Sequence, residues 1–260
     1  MNFKVMTFNL RVDIAQDNKN AWKYRCENVA KIIMESEALI IGTQEGLPSM
    51  IKELAEKLDE FTWVGEGRLG QDKDEHCAVF YDKQKLEAMD HGTFWLSETP
   101  EAKGSTDWGA DYPRICTWVH FCWKDEPEKQ FFLYNTHLDH ISQIARERGM
   151  ALIKKKMQIS DNQLHMPMVL MGDMNAKPSN PAIRLLKESS FYTNTYDFLD
   201  STQFPLGKTF HDFEGGSVGE PIDYIFTYNN VPIHGVEIHR NKINNSYPSD
   251  HYPVIATISM

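Results

Sequence analysis

The sequence predicts an α/β protein in which two mixed β-sheets pack face to face, with helices on the outside. Apolar runs of strand length recur about ten times, whereas amphipathic runs of helix length occur only roughly three or four times. Many of the strand-like runs end on acidic, amide or histidine side chains. No repeat, linker or low-complexity tract divides the sequence. We therefore expect a single domain over residues 1–260.

The charge balance limits the class of partner. The 260 residues carry a formal net charge of −10. A protein that holds long nucleic acid on a broad face needs clustered lysines and arginines to neutralise phosphates. The acidic balance therefore argues against such a face, although it allows a short strand end to enter a metal-lined pocket.

The cysteines indicate a reducing compartment. Cys26, Cys77, Cys116 and Cys122 show no CxxC spacing, so we predict buried thiols rather than a disulfide frame or a zinc site. The short apolar run after Lys4 does not resemble a signal peptide, and no stretch approaches the length of a membrane span. We expect a cytoplasmic protein with no membrane partner.

Strands and helices alternate in the first third of the chain. One apolar stripe, with the helical spacing of three or four residues, predicts a helix. It consists of Trp22, Cys26, Val29 and Ile33. A second helix begins at Pro48, and its inward stripe is expected to end with Leu58 and Phe61. The predicted strands are 3–9, 38–45, 63–67 and 77–81.

The rest of the chain contains one long helix and several strands. We expect an irregular loop from Phe94 to Pro113, because Gly, Ser, Asp and Trp occur there without periodicity. Another loop-like segment is expected from Ser189 to Glu220, after a short helix capped by Asn180. The inward stripe predicted for the long helix is Ile141, Ala145, Leu152 and Ile159. The predicted strands are 115–123, 130–138, 168–173, 222–228, 236–239 and 253–258.

The segment 167–178 has the greatest chemical interest. A buried strand ends at Gly172, and Asp173 and Asn175 follow it two positions apart. A carboxylate beside a carboxamide suits the activation and orientation of water. The same residues are also common in turns for local backbone reasons. We expect both side chains to be presented to ligand outside the core, at the carboxyl end of the strand.

Five further strands begin or end on comparable side chains. The complete set is Asn9, Glu45, His137, Asp173 with Asn175, Asp223, and Asp250 with His251. Oxygen ligands without a cysteine cluster suit Mg²⁺, with Mn²⁺ as a substitute. Glu45 is the strongest ligand candidate, supported by Asn9 and Asp250. Zinc is disfavoured because the pair His137 and His140 lacks a third ligand at a recognisable spacing.

These side chains occur within motifs that follow one another along the whole chain. The motifs are Asn9, Gln44–Glu45, Asn135–Leu138, Gly172–Asn175, Ile222–Tyr224 and Ser249–His251. In this order, they resemble the motifs of the endonuclease/exonuclease/phosphatase superfamily. The resemblance implies a four-layered α/β sandwich like that of deoxyribonuclease I. It also implies hydrolysis of a phosphoester by in-line attack of water at phosphorus.

The resemblance assigns roles to the metal and water ligands. It implies that Glu45 is the main Mg²⁺ ligand, assisted by Asn9 and Asp250. Asp173 would deprotonate or orient the attacking water. Asn175 would fix the phosphate or the water beside it.

It also assigns roles to the histidines. His251 would donate a hydrogen bond to a phosphoryl oxygen, and Asp223 would orient it. His137 would stabilise the charge that develops on phosphorus or assist the leaving group. Glu75 resembles the acid that holds this histidine in some members, and we count it among the substrate-binding residues.

Three further segments resemble bacterial members related to the nocturnin-type and carbon-catabolite-repressor-type deadenylases, which are 3′-to-5′ RNA exonucleases. The segments are Phe94–Pro100, Pro113–Trp118 and Thr209–His211. This resemblance implies that Arg114 contacts a substrate phosphate and that His211 lies at the substrate. On sequence alone, Arg114 is equally compatible with a surface arginine that caps a strand.

Several substrates remain open at this point. The first expectation is exonuclease-like cleavage of single-stranded RNA or another nucleic-acid end. A small phosphorylated metabolite is the alternative, and a catalytically inactive binding scaffold is an alternative of a different class. Inactive scaffolds usually lose an acid, amide or histidine of the motif set, whereas every position is filled here. We therefore expect an enzyme, and no obligate protein partner is evident.

Overall fold

Two six-stranded sheets with helices on their outer faces form the fold, as predicted. A computed structural model describes residues 1–199 and 206–260. In chain order, the strands β1 to β12 are Asn2–Asn9, Ala38–Gln44, Phe61–Val64, Val79–Asp82, Leu86–Trp95, Ile115–Trp123, Gln130–His137, Met168–Asp173, Tyr192–Asn194, Asp223–Tyr228, Ile233–Ile238 and Val254–Ser259. The helices α1 to α4 are Trp22–Ser36, Pro48–Lys57, Gln143–Leu164 and Pro181–Lys187.

Both sheets have a parallel pair at their centre. The first sheet has the order β11-β12-β1-β2-β4-β3, and the second has the order β5-β6-β7-β8-β10-β9. Strands β1 and β2 are parallel, as are β7 and β8, and the other pairings between described strands are antiparallel. Parallel neighbours need a crossover connection. Helix α1 supplies it in the first sheet, and α3 supplies it in the second.

The alternation of side chains along β1 explains the layers. Val5 belongs to the core that the two sheets share, whereas Met6 points the other way and packs with α1 and α2. On the outer face of the second sheet, α3 and α4 bury Met157 and Ile183. The result is helix, sheet, sheet, helix, the four-layered sandwich that the resemblance implied.

The inward face of α3 differs from the prediction. Of the predicted stripe, Ile141 and Ile159 are 59% and 45% exposed, whereas Ala145 is buried. The buried residues of the helix are Ala145, Gly149, Met150, Ile153 and Met157. A Cβ at Gly149 would lie 3.2 Å from Leu96, so small residues let the helix approach the sheet closely. The isoleucines dominated the apolar pattern, but the small residues determine which face packs.

Two strands were missed. Strand β5 is exposed over most of its middle and lies at a sheet edge, so it lacks the apolar alternation that marks a half-buried strand. The irregular loop therefore begins after Trp95 rather than at Phe94. The segment predicted as a loop from Ser189 to Glu220 contains β9 and a 3₁₀ turn, Thr195–Phe198. Its residues 200–205 lie outside the described residues.

Other local predictions hold or need a small change. Asn180 caps α4, and its side chain accepts from the backbone N–H of Ala182. Phe61 opens β3 instead of completing the stripe of α2. The four cysteines are buried and unpaired, as predicted. Among the described helices, none has the length and apolar content required to cross a membrane.

Candidate active site

The topology gathers the polar strand ends of both sheets at one place. Asn9 ends β1 and Glu45 follows β2, while His137 and Asp173 end β7 and β8. The Asn9 side-chain nitrogen lies 3.0 Å from Asp173 Oδ2, so the carboxyl ends of the two central pairs meet across the sandwich. The amino ends of β10 and β12 bring in the remaining three residues. They are Asp223, Asp250 and His251.

Two glycines allow this close approach. Gly172 has φ +145, and a Cβ there would lie 1.9 Å from the backbone oxygen of Thr136. A side chain at Gly42 would meet Met171 and Asn135 of the opposite sheet at 2.6 and 2.8 Å. Only glycine fits both positions without displacing the strands that carry the acids.

A polar bridge joins the sheets beneath the site. The side-chain nitrogen of Gln44 donates to Asn135 Oδ1 at 2.7 Å, and Asn135 Nδ2 donates to the backbone oxygen of Thr43 at 2.9 Å. Both amides are fully buried. Buried polar groups of this kind fix relative position because losing one partner is costly. These residues of the sequence motifs therefore support the site from behind.

The acids have the chemistry of a divalent-cation site. Glu45 Oε1 accepts from Asn9 Nδ2 at 2.9 Å, and Oε2 accepts from the backbone N–H of Val12 at 2.8 Å. One ligand atom each of Glu45, His137 and Asp173 lies within 4.8 Å of the others. Burial raises the pKa of Asp250, and the charge of Glu45 raises it further. A cation between these carboxylates would relieve this repulsion, so the residues fit Mg²⁺ or Mn²⁺.

Asn9 is placed differently from a simple metal ligand. Its Oδ1 accepts from the backbone N–H of Arg11 at 2.9 Å, while its nitrogen faces Glu45 and Asp173. In this arrangement, the amide orients the two carboxylates. Its predicted contribution of an oxygen ligand stays a prediction.

Asp173 is the central acid. Its Oδ1 accepts from the backbone N–H of Asn175 at 2.8 Å, and its Oδ2 lies 3.5 Å from His137 Nε2 and 3.8 Å from His251 Nε2. Burial raises its pKa, and the nearby charge of Asp223 adds to the shift. A carboxyl group with a raised pKa is a better proton acceptor near neutral pH than an ordinary aspartate.

The expectation that Asp173 stands outside the core is wrong. Its exposure is 1%, because the opposite sheet closes over the strand end and Asn9 reaches it from there. The pocket therefore presents the edge of a buried carboxylate. A side-chain replacement must preserve this packing.

The surroundings of the two histidines shift their pKa values in opposite directions. His251 Nδ1 lies 2.9 Å from Asp223 Oδ2. Burial lowers the pKa of His251, but the carboxylates of Asp223 and Asp173 raise it more, to about 10. Burial lowers the pKa of His137 well below its ordinary value, and the charge of Arg114 lowers it further. These shifts favour the imidazolium form of His251 and the neutral form of His137.

His137 also has a different partner from the one predicted. Its Nε2 is 2.9 Å from Asn175 Nδ2, which also donates to the backbone oxygen of Leu138. Glu75, the acid expected to hold this histidine, pairs instead with Arg68 at 3.1 Å. The role of His137 in charge stabilisation stays a prediction.

The other two predicted substrate-binding residues, Arg114 and His211, are placed differently from one another. Arg114 is buried and lines the pocket, with Nη2 2.9 Å from His140 Nδ1 and Nε 3.5 Å from Asp139 Oδ1. It is therefore not a surface arginine. His211 is buried behind the pocket wall, with its ring stacked on Tyr252 at 3.9 Å, while Phe210 occupies the lining. The prediction that His211 contacts substrate is wrong, because its ring points into packing.

The resulting pocket has a volume of about 300 Å³. Four of its charged or ring-bearing lining residues, apart from Phe210, were not predicted as site residues from the sequence. They are Arg11, Arg68, Tyr112 and His140. Arg11 follows Asn9 by two positions, so its place after a strand end was a usable signal. Arg68 and Tyr112 lie in loops without periodicity, and only the fold brings them here.

Comparisons with known proteins agree with this geometry. The model of the endonuclease/exonuclease/phosphatase family matches residues 6–251. A mannosyl-6-phosphatase of Bacteroides thetaiotaomicron is 30% identical, with a TM-score of 0.93 over 99% of this chain and all of that one. The human nocturnin catalytic domain, 16% identical, shares the fold with a TM-score of 0.78 over 99% of this chain and 93% of that one.

A curated protein is also similar to most of this chain. The protein angel of Drosophila melanogaster is 24% identical over 234 residues, which cover 83% of this chain but only 62% of that protein's length. The family match covers nearly all of the chain, including every acid, amide and histidine of the motifs described above. The chain therefore belongs to the endonuclease/exonuclease/phosphatase family, whose members are metal-dependent hydrolases of phosphoester bonds.

Proposed function

We propose that this protein is a Mg²⁺-dependent phosphomonoesterase of a small phosphorylated metabolite, with a sugar phosphate as the substrate class. The main observation behind this proposal is the pocket of about 300 Å³, which has Glu45, Asp173 and His251 among its lining residues. This volume lies at the lower end for ligand pockets and suits a phosphate with one attached ring. The similarity to a mannosyl-6-phosphatase along the full length supports the proposal.

The roles follow from the charges and distances. Mg²⁺, or Mn²⁺ in its place, would be held by Glu45 and Asp250 with Asn9 beside them, and would neutralise charge on the phosphate oxygens. Asp173 takes a proton from the attacking water, which forms a new P–O bond as the bond to the sugar oxygen breaks. The sugar oxygen takes up a proton from solvent and leaves as a hydroxyl group. Asn9 and the Asn175 backbone keep this carboxylate in one orientation.

His251 supplies the second charge. Its imidazolium, held by Asp223, donates a hydrogen bond to a phosphoryl oxygen, where negative charge increases in the transition state. A donor of this type typically contributes about 3 kcal/mol of transition-state stabilisation. His137 keeps the Asn175 amide in place at the pocket.

The test is phosphate release from a panel of hexose phosphates. We expect release with Mg²⁺ or Mn²⁺, none with chelator, and none with Asp173→Asn, which preserves the size of the buried side chain. The Asp173→Asn protein, purified identically, also reports any contaminating phosphatase. Metal-independent release, or equal activity in the variant, would contradict the mechanism.

A second candidate is 3′-to-5′ exonuclease activity on single-stranded RNA. Tyr112 and Phe210 line the same pocket with 46% and 42% of their surfaces exposed, and exposed rings of this kind can pack on bases. The test is a 5′-labelled RNA with an adenine tail. A shortening ladder that depends on metal and Asp173 would favour this candidate, and intact RNA beside active phosphate release would exclude it.

We also propose a cellular compartment and an oligomeric state for this protein. The four buried, unpaired cysteines support a reducing, cytoplasmic compartment. We further propose that the chain acts as a single domain without an obligate protein partner. Size-exclusion chromatography of the active protein tests the last point.

A further inference from the structure

One wall of the pocket consists of Arg68, Glu75 and Tyr112. Arg68 Nη2 lies 3.1 Å from Glu75 Oε1, and its Nε lies 3.0 Å from Asp74 Oδ2. The guanidinium carbon is 4.6 Å from the centre of the Tyr112 ring. Because the guanidinium is planar and held by two acids and a ring, its orientation is fixed before any substrate arrives.

The positive charges of this wall already have acidic partners. Arg68 has two carboxylate partners, and Arg114 beside it has Asp139. A second phosphate would therefore find little unpaired positive charge here. A hydroxyl group, in contrast, can donate to a carboxylate and accept from a guanidinium, and the Arg68–Glu75 pair presents both groups side by side.

The wall is also sheltered enough for such bonds to matter. The side chains of Arg68 and Glu75 are 10% and 16% exposed, and both line the pocket that contains Asp173. Hydrogen bonds to charged groups are stronger in a site with little water than at an open surface. The wall therefore suits neutral hydroxyl groups on the leaving group of a phosphate ester.

We propose that the Arg68–Glu75 pair binds hydroxyl groups of the leaving sugar, and thereby selects phosphate esters of polyhydroxylated rings over esters of rings without hydroxyls. The proposal rests on the phosphomonoesterase function proposed above. It adds two specificity-determining residues, Arg68 and Glu75, that act on the sugar rather than on phosphorus.

The experiment compares mannose 6-phosphate with phenyl phosphate, which has a ring but no hydroxyl. For Glu75→Gln and Arg68→Lys, we expect the ratio of kcat/KM for the two substrates to fall at least roughly tenfold, as for the loss of a hydrogen bond to a charged group. Glu128→Gln, an exposed acid in the β6–β7 turn, is the matched control and should leave the ratio unchanged. Circular dichroism checks that the variants fold. If Glu75→Gln does not fold, the comparison is made with Arg68→Lys alone.

Three results would overturn the inference. The ratio could stay constant while both activities fall, the variants could act by raising the Mg²⁺ concentration for half-maximal activity, or the wild-type protein could prefer phenyl phosphate over every sugar phosphate. If the wild-type protein releases phosphate from neither class of ester, the proposed phosphomonoesterase function itself fails. A lower ratio with an unchanged Mg²⁺ requirement supports the proposal.

Discussion

At the scale of single residues, the charge on His251 depends on one carboxylate. Asp223 holds the imidazole through Nδ1 and, after the opposing effect of burial, is the largest cause of its raised pKa. The neutral amide of Asp223→Asn would preserve shape but weaken the imidazolium. We expect kcat/KM for the best phosphate ester to fall about tenfold to a hundredfold, the range for a lost hydrogen bond to a charged group.

The control for this prediction is Asp125→Asn, an exposed aspartate in the turn at the far end of β6 and β7. It makes the same chemical change away from the pocket. Surface changes that do not affect function are expected to alter activity by no more than roughly twofold. Activity of Asp223→Asn within roughly twofold of the control would therefore show that His251 does not need the negative charge of Asp223.

A second residue-scale prediction concerns stability. Burial lowers the pKa of His211 to about 3, and the positive charge of His251 contributes. The folded protein therefore binds this proton more weakly than the unfolded chain, whose histidine has a pKa of about 6.5. The stabilisation is complete above that value and is lost as the pH falls, by about 1.4 kcal/mol per pH unit.

The measurement compares His211→Gln with the wild type. Urea unfolding at about pH 7.5 and about pH 5.5, with chelator present, brackets the pKa of the unfolded histidine. We expect the wild type to lose about 1 kcal/mol more than the variant over this interval. His251 has the opposite dependence, since its pKa is raised, but it is common to both proteins and cancels in the difference. Equal pH dependence would show that His211 is not held neutral.

At the scale of elements, one residue of α1 ties together the loops that carry the site. Arg25 is 2% exposed, and its guanidinium donates to the backbone oxygens of Leu10, Arg11 and Pro248 at 2.7, 3.0 and 2.8 Å. The first two carbonyls follow Asn9, and the third precedes Asp250. A helix packed outside the first sheet thereby fixes two separate segments at the candidate metal site.

We expect Arg25→Met to destabilise the protein by about 3 kcal/mol, because buried carbonyls lose their donors. The variant should also need more Mg²⁺ for half-maximal activity, and Arg25→Lys should restore part of both losses. Arg184→Met in α4, an exposed position, is the matched control. A stability loss without any change in the Mg²⁺ requirement would reduce Arg25 to a purely structural residue.

Elements were predictable from sequence where apolar patterning alone decides burial. Strand β2 is a continuous apolar run between two layers, so its position and its polar end at Gln44 were evident. Strand β5 was not evident, because it lies at an edge and gains little from burial. The face of α3 was misjudged for a related reason. Close packing at Gly149 outweighed the larger apolar surface of the isoleucines.

At the scale of the whole molecule, the site exists only where the two sheets meet. The strand ends could be predicted one by one, and their motif order indicated the family. The 3.0 Å contact between Asn9 and Asp173, which are 164 positions apart, could not, because no local pattern encodes the packing of one sheet on another. The same holds for Arg68 against Tyr112, which belong to separate loops.

This architecture links metal binding to folding. The candidate ligands Glu45 and Asp250 come from the first sheet, whereas Asp173 beside them comes from the second. An unfolded chain does not gather them, so Mg²⁺ should bind the folded state preferentially and stabilise it by about 2.7 kcal/mol at a hundredfold excess over its dissociation constant. Urea unfolding with Mg²⁺, with Mn²⁺ and with chelator measures the effect. We expect Glu45→Gln, which keeps the size of the side chain and one of its two accepted hydrogen bonds, to abolish most of the gain. An equal gain in this variant would place the ion elsewhere on the protein.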